Sequence, residues 1–248
     1  MAALLLAFRF LTVIPLRGGG DVPPETIGRS VGFFPLVGAV LGGVLAGGAW
    51  VLGGVFPPQV GAALLLGVWV LLTGALHLDG FLDACDGLFG GHTPEARLHI
   101  MRDERVGAFA LAGGVLLLLT KYAALSALMV PFRPAAYLLA PVLGRLAMSA
   151  AVVGFPYARE HGLGRAMKDH AGTREVALAG STALLVSVAA AGWVGLLFLA
   201  GTLALMWGMA TRVMARIPGL TGDIYGALCE VTEAAVLVAW VGLLGPGG

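Results

Sequence analysis

Long apolar runs, separated by shorter polar or charged segments, dominate this sequence. A helix of about 18 or more apolar residues is long enough to cross the hydrocarbon core of a membrane. Seven such spans are predicted, at roughly 32–55, 60–78, 108–130, 135–154, 175–191, 193–211 and 224–244. Tight turns between paired spans are predicted at Pro57 with Pro58, at Pro131 with Pro134, and at Gly192.

The N-terminal stretch that ends at VIPL is apolar, but its 16 residues are short for a span. This length predicts an interfacial or re-entrant helix. A removable signal peptide is not expected, because the stretch has neither a basic n-region nor a small-residue cleavage site. The sequence therefore indicates an all-α, polytopic membrane bundle of about seven transmembrane helices plus this short helix. We expect residues 1–248 to form one domain, because no linker or low-complexity tail interrupts them.

The composition fits a chain that lies in a lipid bilayer, since 58% of the residues are hydrophobic and only 12% are charged. GAVLG at 38–42 and GVLAG at 43–47 predict close helix contacts, because small residues let transmembrane helices approach each other. The net charge of +1 gives no indication of a nucleic-acid partner. Cys85 and Cys229 have neither CxxC nor zinc-ligand spacing, so we expect no redox or metal role for them.

The basic residues lie on one side of the predicted spans. Of the 15 Lys and Arg residues, 12 lie in the N-terminal segment or in the long connections at 79–107, 155–174 and 212–223. Alternating spans bring these segments to one face, which the positive-inside rule makes cytoplasmic. The C-terminus is then expected on the outside. The exceptions are Lys121, Arg133 and Arg145.

Three aspartates in HLDGFLDACDG, residues 77–87, follow an uncharged apolar run. Asp79, Asp83 and Asp86 are spaced i, i+4, i+7, so they share one face of a helix, where like charges repel. A bridging divalent cation makes such a cluster favourable, and Mg²⁺ binds through one or two carboxylates plus substrate phosphates. The pattern predicts that these three bind Mg²⁺ and act in catalysis; the alternative is a solvated, acidic helix end.

The next segment, RLHIMRDERVGAFA at 97–110, adds phosphate-binding groups. Arg102 and Arg105 are predicted to hold phosphate, since a guanidinium binds it through two parallel hydrogen bonds. Asp103 is predicted as a further ligand or as the group that orients these arginines. The positive-inside bias is the alternative explanation for the arginines. His77, two residues before the first aspartate, is predicted to reach the substrate or to act as a base.

LTGDIYGALCEVTE at 220–233 forms a second acidic stretch. Asp223 is predicted to contact substrate, although Asp223 or Thr221 would also serve as the cap of the last span.

Charges at membrane depth are costly unless they are paired. Glu230 and Glu233 share a helix face, and Lys121 and Arg145 lie in the middle of spans. We expect these four to line a buried polar cavity, with Lys121, Arg145 and Glu230 binding substrate. Snorkelling of Lys121 to the membrane surface is the alternative.

Taken together, these blocks resemble the cobalamin synthase family. The motifs that carry the resemblance are FRFLTVIPL at 8–16, GFFPLVGAVLG at 32–42, GALHLDGFLDACDGLFGG at 74–91, RLHIMRDERVGAFA at 97–110, LGRLAM at 143–148, PYAREHGLG at 156–164 and LTGDIYGALCE at 220–230. They occur in the family's order and cover nearly the whole chain. Two departures are VIPL, which lacks a basic residue, and DER, where a small residue often separates Asp from Arg.

The resemblance implies the last assembly step of coenzyme B12, in which adenosylcobinamide-GDP and α-ribazole, or its 5′-phosphate, are joined and GMP is released. It implies a Mg²⁺-dependent, multi-pass enzyme of the bacterial inner membrane whose active site faces the cytoplasm. The ribose 5′-hydroxyl is the expected nucleophile, and Asp79, Asp83, Asp86 or His77 its base. The sequence leaves a homo-oligomer open.

Two other enzyme classes and a transporter remain as alternatives. CDP-alcohol phosphotransferases share a D-x3-D pattern like the one at 79–83, but this chain lacks the Ala-Arg that follows their DG. Aromatic prenyltransferases need two Asp-rich motifs, and the second one here matches poorly. A transporter would use Lys121, Arg145, Glu230 and Glu233 as a charged path, with internal repeats that the sequence does not display.

Overall fold

The structure is a computed structural model that describes residues 1–16, 22–129 and 133–244. Its helices are α1 (Ala2–Leu11), α2 (Pro24–Ser30), α3 (Phe34–Gly53), α4 (Pro58–Leu72), α5 (Leu76–Gly90), α6 (Pro94–Ile100), α7 (Ala108–Met129), α8 (Pro134–Gly154), α9 (Leu163–His170), α10 (Thr173–Met214) and α11 (Gly222–Leu244). A 3₁₀ turn, Val31–Phe33, joins α2 to α3. Within the described ranges there is no β-strand, only an isolated bridge between Tyr157 and Leu220. The turn predicted at Pro131 and the C-terminal GPGG lie outside these ranges.

The predicted all-α membrane bundle is confirmed, and its count of about seven spans is approximate. Among the residues that the structure describes, five helical units are long and apolar enough to cross a membrane: Pro24–Gly53, α7, α8, α10 and α11. A sixth is obtained if α4 and α5, which are bent by 90°, count as one span. The 42-residue α10 bends back at Gly192, where φ is 57° and ψ is −133°. A Cβ on Gly195 would lie 2.0 Å from the Ser187 carbonyl oxygen, so the two arms of α10 run side by side, as the turn predicted at Gly192 requires.

The predicted span 60–78 is wrong at its end, because the chain breaks between α4 and α5. Gly74 and Ala75 both have positive φ, at 58° and 56°. This left-handed backbone stops the helix, and the Thr73 hydroxyl donates to the Trp69 and Val70 carbonyls just before it. The acidic motif therefore begins on a helix of its own, α5.

Helix α8 lies at the centre of the bundle, packed against α3, α10 and α11 and buried along most of its length. Gly38 and Gly42 form the α3 contact, since a Cβ on Gly38 would lie 2.5 Å from the Pro141 carbonyl oxygen. Gly43 and Gly47 face open space. The first predicted small-residue contact is thus confirmed. The second is wrong, because those glycines lie on the other side of α3.

The long connections meet on one face, as predicted. The Ala158 N–H donates to the Leu220 carbonyl at 2.8 Å, which joins the segment after α8 to the segment before α11. The Arg159 guanidinium reaches the Met101 carbonyl at 3.4 Å and so adds the 79–107 connection. The N-terminal stretch forms only the 10-residue α1, whose Leu11 is fully buried. It is too short to span a membrane, as predicted.

Candidate functional site

The acidic helix α5 and the loop that follows α6 line one cavity of about 260 Å³. This cavity collects the three predicted metal ligands and the three predicted phosphate-binding residues: Asp79, Asp83, Asp86, Arg102, Asp103 and Arg105. We call it the acidic cleft. The acids come from successive turns of α5, and the arginines come from the 101–107 loop, so a phosphate in the cleft would meet both groups.

Asp86 serves the fold as well as the cleft. Its two carboxylate oxygens accept hydrogen bonds from the Gly107 N–H at 2.6 Å and the Ala110 N–H at 2.8 Å. The Ala110 N–H belongs to the first turn of α7 and Gly107 directly precedes this helix, whose positive dipole end favours a carboxylate. Since both oxygens are engaged, Asp86 is a weaker candidate for direct metal binding than its two neighbours.

Asp103 and Arg105 form a pair at the rim of the cleft. Arg105 Nε donates to Asp103 Oδ1 at 2.9 Å, and Arg105 Nη2 donates to Oδ2 at 2.6 Å. These hydrogen bonds from Arg105 lower the pKa of Asp103 to about 2. Asp103 therefore stays ionised and orients the guanidinium, which favours the orienting role among the two predicted for it. Arg102 is exposed at the same rim.

A second cavity, of about 270 Å³, adjoins the cleft. Asp79 lines both cavities. Two stacked aromatic pairs line the second one, Phe10 with Phe34 and Tyr157 with Tyr225, each with ring centroids 6.0 Å apart. We call it the aromatic cavity. His77 also lines it, so this predicted residue lies beside the acids but in a different compartment.

Asp223 lines the aromatic cavity and pairs with Arg159, with 2.6 Å between Oδ2 and Nη2. Thr221, not Asp223, caps α11, since its hydroxyl accepts from the Ile224 N–H at 3.3 Å. This leaves Asp223 facing the aromatic cavity, which it lines. Sequence reasoning missed Arg159 and its neighbour Tyr157. The only signal for them was their position in the PYAREHGLG block.

The four intramembrane charges form one buried network. Lys121 Nζ lies 2.5 Å from a carboxylate oxygen of both Glu230 and Glu233, and Arg145 donates to the other Glu233 oxygen. Lys121 also lies over the Trp69 ring at 4.6 Å. The prediction that both cations face the interior beside an acid is confirmed. The four side chains are at most 10% exposed and neutralise one another, so they are buried together as predicted. Their predicted contact with substrate stays a prediction.

The donor set fits a Mg²⁺–phosphate site better than a preformed protein cage. Across the described ranges, no group of three His, Cys, Asp or Glu side chains lies close enough to hold a metal ion. Asp79 and Asp83 have no hydrogen-bond partner for their carboxylates in the same ranges, so their oxygens are open to a ligand. Two carboxylates plus phosphate oxygens and water are the set that Mg²⁺ typically takes.

A family model and curated relatives match nearly the whole chain. The model of the cobalamin-5-phosphate synthase family matches residues 3–241. The adenosylcobinamide-GDP ribazoletransferase of Pseudomonas paraeruginosa is 45% identical over 240 residues, which are 96% of this chain and 97% of the relative. The enzymes of the same name from Pseudomonas savastanoi pv. phaseolicola and Stutzerimonas stutzeri are 42% and 43% identical, each over 96% of this chain and 98% and 97% of the relatives. No solved structure matches this chain.

Proposed function

The chain belongs to the cobalamin-5-phosphate synthase family, and from that membership we propose that it is an adenosylcobinamide-GDP ribazoletransferase. It transfers the adenosylcobinamide-phosphate group from adenosylcobinamide-GDP to α-ribazole, or to α-ribazole 5′-phosphate, and releases GMP. This is the last assembly step of coenzyme B12.

One observation carries the proposal: the acidic cleft and the aromatic cavity adjoin each other and share Asp79. The cleft offers carboxylates and guanidinium groups, which suit a nucleoside diphosphate with its metal ion. The adjoining cavity offers aromatic walls. A diphosphate in the first and a nucleoside in the second would meet at Asp79, which is the arrangement that a transfer between them needs.

The reaction exchanges a phosphoanhydride bond for a phosphate ester. A ribose hydroxyl attacks the cobinamide-side phosphorus in line with the bond to the GMP oxygen. A new P–O bond forms, the P–O–P bond breaks, and GMP leaves with the electron pair. In α-ribazole 5′-phosphate the 5′-hydroxyl expected above is already esterified and cannot attack. A nucleophile that serves both acceptors is therefore a ring hydroxyl of the ribose.

The side chains position the reactants and balance their charge. Arg102 and Arg105 hold the diphosphate at the rim of the cleft, and Asp103 fixes the direction of Arg105. Asp79 and Asp83 would hold Mg²⁺, which when bound supplies charge neutralisation for the departing phosphate. Asp79 faces both compartments, and it accepts the proton of the attacking hydroxyl.

The same proposal includes a location. The multi-pass helices belong to the inner membrane of a bacterium, and the connections that carry the basic residues face the cytoplasm, where the positive-inside rule expects them. Nothing favours the transporter alternative, because its charged path would run through Lys121, Arg145, Glu230 and Glu233, which are closed upon one another.

Purified protein in detergent, supplied with adenosylcobinamide-GDP, α-ribazole and Mg²⁺, tests the proposal. GMP release that requires α-ribazole, together with a coupled corrinoid product of the expected mass, is the expected result. The proposal would be refuted by GMP release that does not depend on α-ribazole, or by the absence of GMP release from folded protein. Omission of Mg²⁺ by chelation is expected to stop the reaction, and undiminished turnover without it would remove the metal from the proposal.

A further inference from the structure

The aromatic cavity contains two buried polar atoms that the rest of the protein leaves without partners. His77 and Tyr225 both line the cavity. Within the described ranges, neither His77 Nε2 nor the Tyr225 hydroxyl has a hydrogen-bond partner, and the two residues are 1% and 3% exposed. A buried polar group without a partner destabilises a fold. Such atoms beside an empty volume therefore point to a ligand that completes their hydrogen bonds.

The contact between His77 and Arg145 fixes which nitrogen of the imidazole carries the proton. Arg145 Nη2 lies 3.4 Å from His77 Nδ1. A guanidinium has donors only, so Nδ1 accepts and carries no hydrogen. The proton of the neutral ring is then on Nε2. The unpartnered atom of His77 is therefore a hydrogen-bond donor. Of the two roles predicted for His77, contact with substrate is favoured over that of a base.

The walls of the cavity favour a flat, apolar ligand. The stacked pairs Phe10–Phe34 and Tyr157–Tyr225 line it together with Met148. Aromatic faces of this kind bind other ring systems by offset stacking. The volume of about 270 Å³ suits a bicyclic base with its sugar and is far too small for a corrinoid macrocycle.

We infer that the aromatic cavity binds the benzimidazole base of the acceptor nucleoside, and that His77 Nε2–H donates to its one unsubstituted ring nitrogen. The inference rests on the proposed function and extends it, since it assigns the acceptor's subsite and its recognition group. The base of α-ribazole is flat and apolar, has no hydrogen-bond donor, and offers one ring acceptor. The Tyr225 hydroxyl is the second contact and meets a hydroxyl of the ribose.

Guanine is the competing occupant, and its chemistry fits less well. Its Watson–Crick edge carries N–H donors that need acceptors. The unpartnered buried atoms of the residues that line the cavity, among those described, are His77 Nε2, Arg159 Nε and the Tyr225 hydroxyl. Two of these are donors only. Two acids line the cavity and could accept from guanine. Asp223 is already paired with Arg159, and Asp79 is proposed above to hold Mg²⁺ and to take the proton of the attacking hydroxyl.

Two substitutions of His77 separate its two nitrogens. His77→Asn keeps a carbonyl oxygen near the position of Nδ1, where it accepts from Arg145, but removes the donor at Nε2. His77→Gln places an amide N–H near the position of Nε2. We expect His77→Asn to raise the KM for α-ribazole about tenfold while the KM for adenosylcobinamide-GDP is unchanged, and His77→Gln to remain close to the wild type.

An acceptor analogue makes the test specific for the hydrogen bond. In the dimethylindole nucleoside, C–H replaces the ring nitrogen while the shape is kept. Wild-type protein is expected to prefer α-ribazole over this analogue by about tenfold or more in kcat/KM, and His77→Asn to lose the preference. Tyr225→Phe is expected to weaken the binding of both acceptors and to keep the preference for α-ribazole over the analogue. It also serves as the second variant if His77→Asn does not fold.

The outcomes separate this inference from the proposed function. Equilibrium binding of α-ribazole, followed by benzimidazole fluorescence without the other substrate, needs no turnover; weaker binding to both variants supports the inference. If α-ribazole binding and the preference over the analogue are the same in wild type, His77→Asn and Tyr225→Phe, the inference is overturned while GMP release still stands. If the variants instead raise only the KM for adenosylcobinamide-GDP, the cavity binds guanine, and the inference is overturned as well.

Discussion

Removing one charge from the buried network, by Glu233→Gln, tests how the intramembrane charges hold the bundle together. Glu233 is 1% exposed, and its two oxygens join Lys121 and Arg145. Glutamine keeps the shape of the side chain, but its NH₂ group, a hydrogen-bond donor, replaces the oxygen that faces one of the two cations. Glu230 then remains as the single acid for two buried cations, and it contacts only Lys121.

The expected loss follows from the contacts that break. Hydrogen bonds to charged groups are worth about 1.5–3 kcal/mol each, and two of them lose their charged partner. Removing one partner of a buried ion pair typically costs about 3–5 kcal/mol, because the remaining charge stays buried. We therefore expect Glu233→Gln to lower the free energy of unfolding by about 4 kcal/mol.

The assay is unfolding in mixed micelles of increasing SDS content, followed by tryptophan fluorescence. The double variant Glu233→Gln with Arg145→Met is the matched comparison, because it leaves the neutral pair of Lys121 and Glu230. It is expected to be more stable than Glu233→Gln alone, by about 2 kcal/mol, since the uncompensated cation is gone. Glu95→Gln, at an exposed acid on α6, is the control without effect.

Two results would refute this reasoning. A loss below about 1 kcal/mol for Glu233→Gln would mean that water or the detergent compensates the cations, so the network would not be closed in solution. The single variant Arg145→Met completes the comparison. If the double variant loses as much free energy of unfolding as Glu233→Gln and Arg145→Met lose together, Arg145 and Glu233 are energetically independent.

Three further predictions concern the cleft and the topology. Asp83→Asn removes a proposed Mg²⁺-ligating charge, so GMP release should fall at least about a hundredfold. Thermal stability should not fall, because the substitution relieves like-charge repulsion within the acid cluster. Near-normal turnover with unchanged Mg²⁺ dependence would instead make the acids a solvated helix end, and Glu95→Gln is again the control. Asp86→Asn leaves one carbonyl oxygen for two backbone donors of α7, so the free energy of unfolding should fall by about 1–2 kcal/mol; unchanged stability would mean that α7 begins without this cap. Cysteine at Glu104 should react with a membrane-impermeant thiol reagent only from the cytoplasm, and cysteine at Trp193 only from outside, with little background because both native cysteines are buried. The reverse pattern would contradict the proposed orientation.

The sequence predicted those features that depend on local pattern or on the cost of burying charge. Apolar runs located most of the spans, and Gly192 marked the turn of α10 because only one residue separates two apolar runs there. Lys121 and Arg145 were predicted to face acids because an unpaired cation in hydrocarbon is too costly. The acids and arginines of the cleft could be assigned together because both lie in one connection, close in sequence.

Features that depend on contacts between distant segments could not be read in this way. Arg159 pairs with Asp223, 64 residues further along the chain, yet in the sequence it is one more basic residue of a charged loop. Asp86 was assigned to metal together with its two neighbours from their i, i+4, i+7 spacing. Its hydrogen bonds to the backbone N–H groups at the start of α7 could not be foreseen, because they have no signature in the sequence. The end of α4 was missed because Gly74 and Ala75 take left-handed conformations inside a run that is apolar throughout.

The bend of α10 also bears on how the chain enters the bilayer. Between Glu175 and Arg212 the sequence carries no charged residue, and the two arms are joined at Gly192 without a loop. During synthesis the arms can insert as one helical hairpin whose tip is a glycine. Moving a charge across the membrane involves about 2.3 kcal/mol per 100 mV of potential, but this hairpin moves none. Its insertion should therefore proceed equally well in energised and de-energised membranes.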